Sequence, residues 1–309
     1  MKKILTLLLA LWMLTGCVAM AAGNQLVVGS TTAMSGAFFT DLFGSNTADI
    51  DVRALLHGYN LMSWDHETGT YQINDSVVAG MAVSRDAQNN RVYTFDLYGD
   101  LKFSDGSAIT AKDYAFSILL TASPELAKLG GQSASVGAIL GMDAYQSGKS
   151  SVLRGVRLLS DTQMSITISK AYEPYFYEMA LFDYSPYPIS VLAPGCKVVD
   201  TEKGVGIVNA SGTGAAIFTA DLLQKTILDA ATGYMSHPSV VSGPYTLTSY
   251  DAQRGTASFA INPYYKGNED GEKPTIETIV YRKLVDETQL DQLKKGEVDV
   301  LSALTGGDV

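Results

Sequence analysis

Cysteine is nearly missing: the 309 residues hold two, Cys17 and Cys196. Two are too few for a disulfide framework, so the fold must rest on an apolar core. Cys196 follows Ala193-Pro194-Gly195 and is expected to be a buried, inert thiol. Histidine is equally scarce. His57, His66 and His237 stand far apart, with no metal-ligand spacing and no HExxH pattern. No GxSxG elbow and no SxxK set with its companion motifs occurs either, so nucleophilic catalysis has no support in the sequence. Basic residues are outnumbered, 22 Lys and Arg against 32 Asp and Glu, for a net charge of −10. That balance argues against nucleic acid as a partner and against attachment to anionic lipid through a basic patch. After the N-terminus no run of 18 or more apolar residues occurs, so no later segment is expected to span a bilayer as a helix.

The N-terminus itself is distinctive. Lys2 and Lys3 precede the uncharged apolar run Ile4 to Met13, the pattern of a secretory signal and too short for a membrane span. Leu14-Thr15-Gly16-Cys17 resembles a bacterial lipobox, in which the cysteine receives a diacylglyceryl group and becomes the new N-terminus. Two acyl chains would anchor it stably. The other reading is ordinary cleavage after Ala19-Met20-Ala21, which leaves a free protein. Lipidation at Cys17 removes residues 1–16 with Lys2 and Lys3, takes the net charge from −10 to −12, and leaves Cys196 without a partner. The roughly 290 residues that follow suit two domains.

Hydrophobic patterning gives an α/β order. Gln25 to Gly29 is expected as a strand, Thr31 to Gly44 as a Ser/Thr/Gly loop, and Val52 to Met62 as a helix. Arg91 to Leu97 alternates as a half-buried antiparallel strand. Thr110 and Asp113 sit three apart before a helix over 111–121, whose Ala115, Phe116, Leu119 and Leu120 share one face. Hairpins are expected over 155–168 and 245–261, and a long loop over 198–214. Residues 276–301 predict a βαβ unit, whose parallel strands need neighbours.

Two glycine motifs fail as nucleotide sites. Gly148-Lys149-Ser150 has Asp143 where a phosphate loop needs its first glycine, and Gly212-Thr213-Gly214 has Ile217 where a dinucleotide fingerprint needs its third. Asp49 with Asp51, and Glu269 with Asp270, are expected to be solvated charges. No enzyme activity and no cofactor is expected.

Leu101-Lys102-Phe103-Ser104-Asp105-Gly106 followed by Ile109-Thr110-Ala111-Lys112-Asp113 resembles the signature of the family 5 extracellular solute-binding proteins. Further agreement follows in order at Gly148-Lys149 before Leu153 to Val156, Ser242-Gly243-Pro244-Tyr245, Asn262-Pro263-Tyr264-Tyr265, Lys273-Pro274 and Gly296-Glu297-Val298-Asp299. Pro174-Tyr175-Phe176-Tyr177 with Ser185-Pro186-Tyr187-Pro188 is similar to the oligopeptide-binding branch.

The resemblance implies an α/β periplasmic-binding-protein-like fold of two lobes with an extra domain beside the first lobe. Family members are longer, so the sequence is expected to be an N-terminal fragment lacking most of the second lobe. The implied division is residues 24–51 and 171–278 for the first lobe, 52–170 for the additional domain, and 279–309 for the start of the second lobe. The resemblance implies capture of peptides or another small solute by lobe closure and delivery to an ABC permease with its ATPase subunits. The protein would be a monomer outside the cytoplasm, lipid-anchored to the bacterial cell membrane or periplasmic. A peptide-sensing adaptor and an anchored hydrolase are the rival readings. The signature around Asp105 and Gly106 is expected to serve as turn and helix cap. Ligand contacts are expected at Met34, Ser35, Gly36, Ala37 and Phe38, in the loop past the first strand, and by similarity at Phe182 and Asp183.

Overall fold

The computed structural model describes residues 24–132 and 137–302. The lipobox and Cys17 lie outside the described residues. Strand β1 (Gln25–Ser30) leads through an irregular loop to helix α1 (Thr47–Leu56). This helix starts five residues earlier than its apolar spacing suggests and ends six residues earlier. Its start is fixed by reciprocal capping: the Asp49 amide donates to Asn46 Oδ1, and the Asn46 amide to Asp49 Oδ2. Its end is fixed by Tyr59, whose φ of +58° turns the chain into β2 (Met62–Asp65). Asp49 is fully buried in this cap, so the expectation of a solvated charge is wrong for it.

Strands β2 and β3 (Thr70–Ile73) form a small hairpin. A four-stranded antiparallel sheet follows, in the order β4 (Val78–Arg85), β5 (Arg91–Leu97), β7 (Gln163–Ile168), β6 (Val156–Leu158). The turn and helix predicted from the family signature are present. Asp105 Oδ1 accepts from the Ser107 amide and hydroxyl, and Gly106 takes φ +84°. Helix α2 (Ala111–Thr121) begins with the Thr110 amide and hydroxyl donating to Asp113 Oδ2. The helix is buried on nearly every side rather than along one face, because strands within residues 196–209 pack on it as well as β6 of the sheet.

The segment 198–214 is not a long loop. Its first part forms, with Cys196 and Lys197, a hairpin of β8 (Cys196–Thr201) and β9 (Gly204–Asn209). Glycine hides the strand signal: a Cβ on Gly204 would lie 2.4 Å from the Leu153 carbonyl oxygen, and one on Gly206 2.9 Å from that of Ser151. The strand needs glycine because it runs against that backbone. Cys196 is buried in this hairpin, and burial pushes its thiol pKa up.

Strands β10 (Tyr245–Asp251), β11 (Thr256–Ile261), β12 (Thr278–Lys283) and β13 (Val300–Ser302) join β1 in a mixed five-stranded sheet, order β10-β11-β12-β1-β13. The βαβ unit is therefore split: β12 and β13 both run parallel to β1, which lies between them. Of the stretch 279–309 expected to open the second lobe, the described strands β12 and β13 pair with β1, which supplies the parallel neighbour they require.

Two cores result. One packs Val28, Phe38, Val52, Leu56 and Phe259 between α1 and the five-stranded sheet. The larger one runs from Phe39 through α2 and the four-stranded sheet to Tyr234. It takes in Phe182, Leu192 and Val205, which the sequence division assigns to the first lobe. Core membership changes between Leu56 and Tyr59 and between Val240 and Val241, with Phe39 and Leu42 also in the larger core.

Candidate functional site

The loop past β1 stitches the two cores together. Met34 and Phe38 pack into the sheet of β1, and the next residue, Phe39, packs into the larger core. The loop backbone is heavily bonded. The Phe38 amide donates to the Met235 carbonyl at 2.9 Å, and Arg53 Nη1 donates to the Ala37 carbonyl at 2.8 Å. His57 Nε2 lies 3.0 Å from the Phe38 carbonyl and is its donor in the neutral ring. Ser35 is exposed, but its hydroxyl and amide both donate to the Asp49 carboxylate, at 2.6 and 2.8 Å. Gly36 takes φ +88°, with the Tyr250 ring where a side chain would extend. The structure thus places Met34 to Phe38 in a braced packing segment, with Ser35 alone facing outward.

Phe182 is fully buried, its ring 4.6 Å from that of Tyr93 and 5.4 Å from that of Phe95. Asp183, the next residue, turns outward to the rim of a cavity of about 370 Å³. Asn60 Nδ2 donates to Asp183 Oδ1 at 2.6 Å. Asp183 has exposed surface but lies in a concavity, and the protein packed around its carboxyl pushes the pKa up, opposed by that hydrogen bond.

The cavity joins the two segments that sequence reasoning singled out; of the residues named it keeps Asp183, and the others are new. Thr40, Asp41 and Leu42 come from the loop past β1, and Tyr184, Ser185 and Tyr187 from the Ser-Pro-x-Pro segment. The sequence signals were the extent of the loop, drawn to Gly44, and the family-like Ser185-Pro186-Tyr187-Pro188. What could not be seen was which loop residues pack inward. Phe39 anchors the wall, its ring centroid 4.7 Å from Tyr187 and 4.9 Å from Tyr234. Burial pushes the Tyr187 hydroxyl up to about 12, so it stays a neutral donor. Asp41 and Asp183 are the charged groups of the lining, and neither has an ion-pair partner among the described residues. Neutral hydroxyls, tyrosine faces and two uncompensated carboxylates suit an organic ligand carrying a cationic group.

A larger cavity, about 770 Å³, lies beside β9 and includes Gly148, Ser150 and Gly212 to Gly214 of the two rejected glycine motifs. Its charged residues, Glu125 and Lys128, pair with each other at 2.6 Å and leave no free charge. Among the described residues no group of three His, Cys, Asp or Glu is placed to hold a metal ion.

The family motifs themselves gather where the cores meet. The Ser104 amide donates to the Val241 carbonyl, and Ser242 Oγ both accepts from the Gly58 amide and donates to its carbonyl. The turn at Gly106 packs against Tyr264, and Asn262 Nδ2 donates to the Gly243 carbonyl. These residues fix one core on the other and do not line the cavity.

A mixed sheet with a second antiparallel unit beside it, and an open concavity past the first strand, is the architecture of an α/β binding protein. Residues 76–309 match the family described as bacterial extracellular solute-binding proteins, family 5 (middle), and the chain belongs to that family. Among curated relatives, it is 33% identical over 111 residues to the periplasmic oligopeptide-binding protein OppA of Escherichia coli, covering 35% of this chain and 20% of that one. It is 28% identical over 207 residues to the oligopeptide-binding protein OppA of Lactococcus lactis, covering 66% and 28%. The fold is that of lactococcal OppA complexed with an endogenous peptide in the closed conformation (TM-score 0.66, 19% identity), over 92% of this chain and 46% of that one. It is also shared with NikZ from Campylobacter jejuni in complex with Ni(L-His) (TM-score 0.54, 14% identity), over 89% and 42%. The chain spans less than a third of these curated relatives and less than half of these solved chains. One fold serving peptide and metal chelate means that ligand class must be argued from the site.

Proposed function

We propose that this chain is the extracytoplasmic ligand-capturing component of an ABC importer, that its ligand is a peptide, and that residues 40–42 and 183–187 form its share of the site. The observation that carries this reading is the cavity on the larger core, where uncompensated Asp41 and Asp183 stand among tyrosine and hydroxyl groups. Carboxylates receive a peptide's amino group or a basic side chain, tyrosine faces take side chains of many kinds, and main-chain bonding gives affinity without demanding one sequence. Relatives that bind oligopeptides support the same class. In this reading capture proceeds by closure of a second lobe over the site, and delivery goes to a permease with its ATPases. The chain acts as a monomer, tethered through a lipid on Cys17. Because an opposing lobe supplies the rest of such a site, the described half binds peptides more weakly than micromolar.

The test is to incubate the purified chain with a peptide mixture and analyse retained and free peptides by mass spectrometry. Peptides held and recovered intact support the reading; cleaved peptides, or retention of none at millimolar concentration, overturn it. The anchor is tested separately by labelled fatty acid, whose incorporation Cys17→Ser should abolish.

A further inference from the structure

The segment Glu173-Pro174-Tyr175-Phe176-Tyr177-Glu178 forms an arch that exposes three aromatic side chains together. Phe176 is 84% exposed, Tyr177 52% and Tyr175 45%. Their rings touch one another, with Phe176 4.9 Å and Tyr175 6.3 Å from Tyr177. Leaving such a cluster in water is unfavourable, and a patch of this kind marks a contact surface.

The arch is held at both ends. Glu173 pairs with Arg85 at 2.7 Å and with Arg91 at 3.4 Å, and Glu178 pairs with Arg91. Arg85 ends β4 and Arg91 begins β5, so the arch is fastened to the rigid tip of the four-stranded sheet. Two arginines against two carboxylates leave it no net charge. It is an apolar surface on a fixed mount.

Both feet of the arch border the candidate site. On one side Tyr172 Oη lies 3.0 Å from where a Cβ on Gly137 would stand, next to Ala138 and Ile139 of the cavity wall. On the other, the 3₁₀ turn Glu178–Phe182 places Ala180 and Leu181 in the same wall. A rise of about 2 Å per residue puts Tyr177 within roughly 6 Å of Ala180 along the chain. The chain thus runs from the three exposed rings directly into the cavity wall.

We propose that the Tyr175–Tyr177 arch is the apolar rim of the ligand site and selects peptides with an apolar side chain beside the residue seated in the cavity. This rests on the peptide reading above. The cavity's carboxylates receive the charged end, and the arch covers an apolar side chain that would otherwise stay in water. Arg85 and Arg91 act as positioning residues for the rings.

The full chain, labelled with 4-fluorophenylalanine, gives a fluorine NMR signal for each of its ten phenylalanines. Phe176→Leu assigns the arch, and Phe39→Leu assigns a reporter packed behind the cavity wall against Tyr187. An all-alanine peptide and a same-length peptide carrying leucine are the probes. The leucine peptide should shift both signals and bind about tenfold more tightly, and Phe176→Ala should remove that preference while leaving the alanine peptide's affinity unchanged. If both peptides shift Phe39 equally and leave Phe176 still, the arch is no part of the site although the peptide reading stands. If neither peptide moves either signal, both fall. Broadening of Phe176 with protein concentration alone would make the arch a contact between copies and overturn the proposal.

Discussion

The two cores are built on opposite plans. The five-stranded sheet is assembled from distant pieces of chain, with β1 at residues 25–30 paired to β12 at 278–283 and β13 at 300–302. The four-stranded sheet is antiparallel and assembled from a closer stretch, 78–168, over a much larger apolar core. Contacts between distant segments require long loops to close first, so the unit of β1 is the slower to form and the easier to open. The candidate site is lined from the larger unit, and the loop that supplies Thr40 to Leu42 crosses over from the smaller unit between Phe38 and Phe39. The smaller unit therefore reaches the site only through that crossing of the loop.

The sharpest way to break this comparison is to empty one core at a time. Phe38→Ala and Phe39→Ala should each cost about 3–5 kcal/mol, since both rings are almost fully buried. Hydrogen exchange tells them apart. Phe38→Ala should unprotect β1 and β12 while sparing β5 and β7, and Phe39→Ala should weaken β5 and β7. Equal loss in both sheets from either variant would mean a single cooperative core.

Acid tests the seam next. The His57 ring, packed against Phe39 and Tyr234, has its pKa lowered to about 4, chiefly because burial disfavours its charged form. Its ordinary value is about 6.5, so between these values the unfolded chain binds the proton and the folded chain does not. Stability falls as pH drops from 6.5 to 4, by about 3 kcal/mol from this group. Urea titrations across that range should show the loss, and His57→Gln, which can still donate to the Phe38 carbonyl, should flatten it. An unchanged slope in the variant would place the proton uptake elsewhere.

Smaller effects come from the motif residues and the braced loop. A Cβ on Gly243 would stand 2.5 Å from the Leu55 carbonyl oxygen, so Gly243→Ala should cost about 1–3 kcal/mol by pushing the chain off the end of α1. Ser35→Ala removes one bond to Asp49 and should cost about 1 kcal/mol in urea unfolding, with peptide affinity changed less than about twofold. A larger change in affinity would return Ser35 to the ligand.

The sequence was clearest where structure is local. The cap at Thr110 and Asp113, the turn at Gly106 and both predicted hairpins follow from neighbouring residues, and they stand where expected. It was least clear where distant chain decides the outcome. Gly204 and Gly206 look like loop residues until the backbone of 151–154 is laid against them. Asp49 looks solvated until Ser35 and Asn46 close over it. For the site, the segments were legible and, of the individual residues, Asp183 alone. A loop of mixed character says that something faces the cleft, whereas only packing shows that Phe38 and Phe182 turn inward and Asp41 and Asp183 outward.

The central claim is that peptide enters the cavity beside this loop, and a thiol placed there tests it directly. In a Cys17→Ser, Cys196→Ser background, Ser185→Cys puts a thiol on the cavity wall, and Ser249→Cys gives an exposed control on β10. Alkylation rates are measured with and without millimolar peptide. The account predicts that peptide slows the reaction at 185 and leaves it unchanged at 249. Equal rates at 185 with and without peptide that is retained by the chain would contradict it.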